Sequence, residues 1–191
     1  VSFAYLPSGT TVPSPADLLT SRTMAGLVDG LKKFYDWIVI DTPPALSYIT
    51  INGLMAADGI VMPLPPNALD FLSSSQFWGL ITELTQGLQR HGAKKQFDFV
   101  DVVLSKVDPD DAATPVVREW ITAAYGEKVV SAEIPITATA GSASAEFGTV
   151  YDQPRRRATL AYDRLVELLE EHIGAAWLRQ LSITERAKSW A

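Results

Sequence analysis

The chain has 191 residues, 47% apolar and 20% charged, which fits one domain with a real core and leaves little room for two. It has no cysteine and only two histidines, His91 and His172, far apart in sequence, so disulfides and a thiolate or zinc centre are argued against and any metal is expected to be oxygen-bound. A net charge of −6 disfavours a global electrostatic grip on nucleic acid but not a local basic stripe; with no apolar run near the ~20 residues of a membrane span and no signal-peptide pattern, a cytoplasmic protein without membrane contact is expected.

In chain order, Pro7 to Thr11 reads as a turn, and Met24, Leu27, Val28 and Leu31 fall at helical spacing within an expected helix from Asp17 to Phe34. Trp37 to Ile40 is a buried-strand run that delivers Asp41 to a turn stiffened by Pro43 and Pro44. An apolar strand of a doubly wound sheet ends at the crevice outside its carboxyl edge, where phosphates and Mg²⁺ bind, so an acid at its tip can hold a metal. That is the design of a Walker B strand.

A second strand is expected over Gly59 to Leu64, with Pro63 ending it or making it irregular because proline removes a ladder donor. Phe77, Leu80, Ile81, Leu84 and Leu88 then share one face of a covering helix closed by Arg90-His91-Gly92. A third strand spans Phe99 to Leu104. Ser105-Lys-Val-Asp108 at its exit imitates a guanine-reading motif but lacks its leading Asn or Thr, which favours a polar strand exit. Thr114-Pro115 reads as N-cap and first-turn proline of the next helix, and Val129 to Ile134 as a fourth strand. Strands alternating with helices predict a parallel α/β sheet.

Ala138 to Ala145, rich in Ala, Ser, Thr and Gly, is expected to be a loop that moves with a bound ligand. Arg155, Arg156 and Arg157 open the final helix, expected to run to Leu181 with a frayed tail after it, so that residues 1–181 form the domain. Three like charges at a helix amino end oppose the dipole, which points to a role other than helix stability, such as contact with DNA phosphates. The glycine-rich loop ending in Gly-Lys that normally accompanies a Walker B strand has no counterpart: the chain has no Gly-Lys dipeptide.

Four stretches carry a family resemblance: Tyr35-Asp-Trp-Ile-Val-Ile-Asp-Thr-Pro-Pro-Ala-Leu46, Leu54-Met-Ala-Ala-Asp-Gly-Ile-Val-Met-Pro-Leu64, Glu133-Ile-Pro135 and Phe147-Gly-Thr-Val-Tyr-Asp152. Together they resemble the ParA family of deviant-Walker partition ATPases. Leu69 to Phe77 and Thr159 to Arg164 are most similar to its RepA branch. The resemblance implies a P-loop NTPase fold, doubly wound and three-layered (α/β/α), whose first strand and phosphate loop lie outside this chain. It implies ATP and Mg²⁺ as cofactors, an ATP-bound homodimer, non-specific DNA binding and a ParB- or RepB-like centromere-binding partner. By the same resemblance Asp41 is the catalytic and metal-holding acid, Thr42 and Pro43 shape its turn, and Pro135 and Ile136 lie near the base. Alone, the chain is then expected to hold ATP weakly. A non-catalytic interaction module that keeps the fold fits the lack of a phosphate loop equally well, and Leu6-Pro-Ser-Gly with Pro13 to Arg22 is similar to bacterial tyrosine kinases, whose usual tyrosine-rich carboxyl end is lacking after Tyr162.

Overall fold

The computed structural model describes residues 22–43, 47–92, 95–146, 148–152 and 156–188, with backbone alone for 25, 48, 144, 156–158 and 176–188. The chain divides into two compact units, Val1–Ala57 and Asp58–Ala191.

In the first unit, helix α1 (Arg22–Leu31) runs into a turn in which the amides of Lys32, Lys33 and Phe34 donate to the carbonyls of Val28, Gly30 and Leu31. The expected strand over Trp37 to Ile40 does not form: these residues are irregular, and Val39 is 87% exposed. A strand exists only by virtue of a ladder partner, and the segment finds none among the described residues. Helix α2 (Tyr48–Ala56) follows, capped by Ser47, whose hydroxyl accepts from the Thr50 amide at 3.3 Å.

The second unit is a three-stranded parallel sheet in the order β1 (Gly59–Leu64), β2 (Phe99–Val107), β3 (Val129–Pro135). The register pairs Gly59 with Phe99 and Leu64 with Leu104. Contrary to expectation, β1 passes through Pro63 without interruption, Pro63 sitting opposite Val103. At the edge of the described sheet alternate backbone donors point away from β2, so a missing N–H there breaks no ladder bond.

Helices cover both faces, giving the three α/β/α layers. On one side Leu64, Val102, Leu104 and Val107 pack against Val117 and Ile121 of α4 (Thr114–Tyr125), with Phe71 of α3 (Ala68–Arg90) beside them. On the other, Val103, Val130, Ala132 and Ile134 pack against Leu168 and Leu165 of α6 (Arg156–Lys188). The alternation breaks at one place. Val102, Leu104 and Val107 share a face although their spacing changes from two to three, because the β2–β3 register shifts between Leu104 and Val107 and Lys106 adopts φ +51°. One residue of left-handed backbone turns Val107 back into the core.

Local chemistry sets the helix ends. Helix α3 starts at Asn67, whose side chain accepts from the Asp70 amide at 2.9 Å, and stops at His91 with Gly92 at φ +78°. Of its predicted core face, Ile81 is buried, Phe77, Leu84 and Leu88 are half-buried and Leu80 is exposed. Ser74, also buried, joins its hydroxyl to that of Tyr125 at 2.6 Å. Helix α4 has its N-cap at Ala113, one residue earlier than expected, because the Asp111 carboxylate takes the Ala113 amide at 2.9 Å and leaves Thr114 buried inside the helix.

Residues Ala138–Ala145, expected as a loop, form helix α5. The Thr137 hydroxyl accepts from the Ala140 amide at 3.3 Å, Thr139 and Ala143 are buried, and alanine's helix propensity does the rest. Helix α6 continues to Lys188, past Ser182.

Candidate functional site

The sequence-predicted acid, Asp41, is exposed in the first unit, and its neighbours are fixed from behind by α2. Thr50, 4% exposed, donates its hydroxyl to the Pro43 carbonyl at 3.4 Å. Three residues on, Gly53 leaves so little space that an added Cβ would stand 3.1 Å from the Thr42 methyl and 3.4 Å from the Ile40 methyl. Residues 40–43 therefore lie against the helix at a glycine, and their position is held by one buried hydroxyl and a close backbone approach. The carboxylate of Asp41 is the part left free to face solvent. A single exposed carboxylate beside a threonine hydroxyl suits a hard cation that keeps most of its water and takes further ligands from a phosphate. Among the described residues no group of three or more His, Asp or Glu could hold a metal by itself.

In the second unit the carboxyl ends of the strands converge on one edge. Val107 and Pro109 from the end of β2, Glu133 and Pro135 from β3, Arg118 from α4 and Ala161 from α6 line a hollow of about 310 Å³. The Ile136 amide donates to the Val107 carbonyl at 2.9 Å and fixes its rim, while the Ile136 side chain is 57% exposed. The wall is apolar except for one pair. Arg118 Nε donates to Glu133 Oε1 at 2.8 Å and its Nη2 to Oε2 at 2.9 Å, a bidentate fork with both side chains about one-third exposed. Asp108, the last residue of the guanine-reader look-alike, accepts from the Asp110 amide at 3.0 Å and so caps its own turn.

A third element sets the entry to the basic start of α6. Gly148 donates its amide to the Ala143 carbonyl at 2.8 Å, and the Asp152 carboxylate accepts from the Thr149 amide at 2.7 Å and its hydroxyl at 2.8 Å. Those bonds, the amide first, hold the Asp152 carboxyl below its ordinary pKa. Tyr151 donates to Asp163 of α6 at 2.9 Å; desolvation and then that bond raise its phenol. Arg156 and Arg157 lie in the first turn of α6, their side chains outside the described residues, as is Arg155 altogether.

The structure thus sets Asp41, Thr42 and Pro43 side by side against α2, places Pro135 in the hollow and Ile136 at its rim, and puts Arg156 and Arg157 at a helix start. Sequence reading missed Arg118, and took Glu133 only as a motif letter. A charge inside the alternating apolar pattern of β3 was the available signal; nothing marked Arg118. His91 caps α3 through the Gly87 carbonyl at 2.9 Å, and His172 of α6 bonds the buried Asp101 of β2, so each histidine has a structural partner.

A family model described as an AAA domain matches residues 16–95. A Rhizobium rhizogenes protein described as a replication protein A is 27% identical over 154 residues, 80% of this chain and 38% of that protein. Protein SopA of Escherichia coli K12 is 29% identical over 71% of this chain and 35% of its own length. The chromosome partitioning protein ParA of Caulobacter vibrioides is 28% identical over 68% of this chain and 52% of its own. The chain therefore spans about a third to a half of the length of these relatives. A solved structure named Partition Protein shares the fold with a TM-score of 0.55 and 22% identity, over 75% of this chain and 35% of that one.

Proposed function

We propose, since this chain belongs to the ParA family of partition ATPases, that it forms the Walker B half of an ATP-hydrolysing protein that segregates plasmid or chromosomal DNA in the cytoplasm. The observation that carries the reading is the braced turn at Thr42 and Pro43, which leaves Asp41 exposed as the one carboxylate its position can offer a cation. Mg²⁺, when bound, would neutralise phosphate charge. The chain's own residues would position it: Asp41 holds the cation, and Thr50 and Gly53 keep the turn from drifting. Water would attack the γ-phosphorus in line as the β–γ bridging bond breaks, with catalysis coming from positioning and charge rather than from a covalent step. Pro135 and Ile136 would bound the base, and Arg155, Arg156 and Arg157 would contact DNA phosphates without reading sequence. An ATP-bound homodimer and a ParB-type partner complete the proposal. No described helix is long and apolar enough to cross a membrane.

The test is ATP turnover by the protein encoded by the reading frame that contains this sequence. Asp41→Ala should reduce turnover to background with the melting temperature unchanged, because the side chain faces solvent. Unchanged turnover would refute the assignment.

A further inference from the structure

We propose that Glu133, oriented by Arg118, is a base-reading residue that accepts a hydrogen bond from the exocyclic amino group of an adenine seated in the hollow at the carboxyl ends of β2 and β3. The inference rests on the ATPase reading for the identity of the base. The hollow itself has the character of a small-molecule seat. At about 310 Å³ it stands at the lower bound of the ~300–1,000 Å³ typical of ligand pockets, and it combines apolar walls with a few convergent polar groups. It also lies where open α/β sheets bind ligands, outside the carboxyl ends of the strands.

Val107, Pro109, Pro135 and Ala161 supply flat apolar surface for a ring. The Arg118–Glu133 fork supplies the polar edge. Arg118 Nε and Nη2 each occupy one oxygen of Glu133, so the carboxylate cannot rotate, yet each oxygen keeps a second lone pair. A fixed acceptor beside an apolar slot suits an amino group on the rim of a purine. Nη2 keeps a second hydrogen, directed away from Nε and beside Oε2, that can donate to the adjacent ring nitrogen. Arg118 is a positioning residue: without it Glu133 keeps its charge but loses its direction.

The experiment is ligand-observed NMR titration of the 191-residue chain with adenosine, purine riboside and guanosine at millimolar concentration. Nucleosides carry no phosphate, so the result does not depend on a phosphate loop. Purine riboside differs from adenosine only in lacking the 6-amino group. Adenosine should bind about tenfold more tightly than purine riboside, the value of one hydrogen bond to a partly exposed carboxylate. Glu133→Ala should bring that ratio to about one while the circular dichroism stays native, and Arg118→Met should reduce it without removing it. Equal affinity of the two nucleosides for the parent chain, a ratio that survives Glu133→Ala, guanosine binding more tightly than adenosine, or no binding of any of the three would each overturn the proposal. The two readings fail separately: Asp41-dependent ATP turnover with a flat nucleoside ratio removes the role of Glu133 and leaves the ATPase standing, whereas loss of turnover in the parent protein removes the latter.

Discussion

Replacing His172 by alanine should loosen α6 from the sheet of the second unit. The Asp101 carboxylate lies on the β2 face covered by α6, with 5% of its side chain exposed, and both its oxygens lie 2.9–3.0 Å from His172 Nδ1. A carboxylate only accepts, so Nδ1 carries the proton in this bond. The imidazole itself is 41% exposed. Removing one partner of a fully buried pair costs ~3–5 kcal/mol, and an exposed pair contributes ~0–1 kcal/mol. Asp101 falls in the first class and His172 in neither, and water entering the space left by the ring recovers part of the lost solvation, which places the cost at about 2 kcal/mol. Against a typical stability of ~5–15 kcal/mol this is a visible loss, roughly 4–16 °C in Tm at ~2–8 °C per kcal/mol. Thermal and urea melts followed by circular dichroism measure it. Asp101→Val with His172→Leu removes the charge and its partner together, and should melt close to the parent or above it, since well-packed apolar replacements of buried pairs are neutral or stabilising. A His172→Ala protein within ~0.5 kcal/mol of the parent, or a double variant as unstable as the single one, would refute the account.

Lys106→Gly should stabilise the second unit by about 1 kcal/mol, because a non-glycine residue pays for the φ of +51° that returns Val107 to the core; a lower urea midpoint would show that the lysine side chain matters more than its backbone. Gly53→Val should push the Thr42 methyl from its 3.1 Å approach and lower both ATP turnover in the parent protein and the stability of the first unit, the latter by ~1–3 kcal/mol; wild-type turnover would mean that the turn carrying Asp41 does not depend on α2. Arg156→Glu should weaken binding to duplex DNA of any sequence and flatten its salt dependence, which neutralisation of about three phosphates sets near a log–log slope of −2.7; an unaltered slope would move the DNA surface elsewhere.

Much of the second unit follows from the sequence alone. The strands at Gly59, Phe99 and Val129 begin where the apolar runs begin, and the covering helix ends at Arg90-His91-Gly92, because alternation, helical spacing and a terminal glycine act over a few neighbouring residues. The place of Pro135 in the hollow was legible for the same reason: it closes a strand-end motif written contiguously. Other features were settled only by tertiary structure. The apolar run at Trp37 to Ile40 has the composition of a strand, but pairing belongs to two segments and not to one. Ala138 to Ala145 reads as a loop until a threonine at its entrance and the burial of Thr139 and Ala143 favour the helix. Arg118 meets Glu133 across 15 residues and His172 meets Asp101 across 71, distances over which local pattern carries no information about which charge will find which. The left-handed turn at Lys106 has the same origin: no glycine marks it, and what holds it there is the core position of Val107 one residue later.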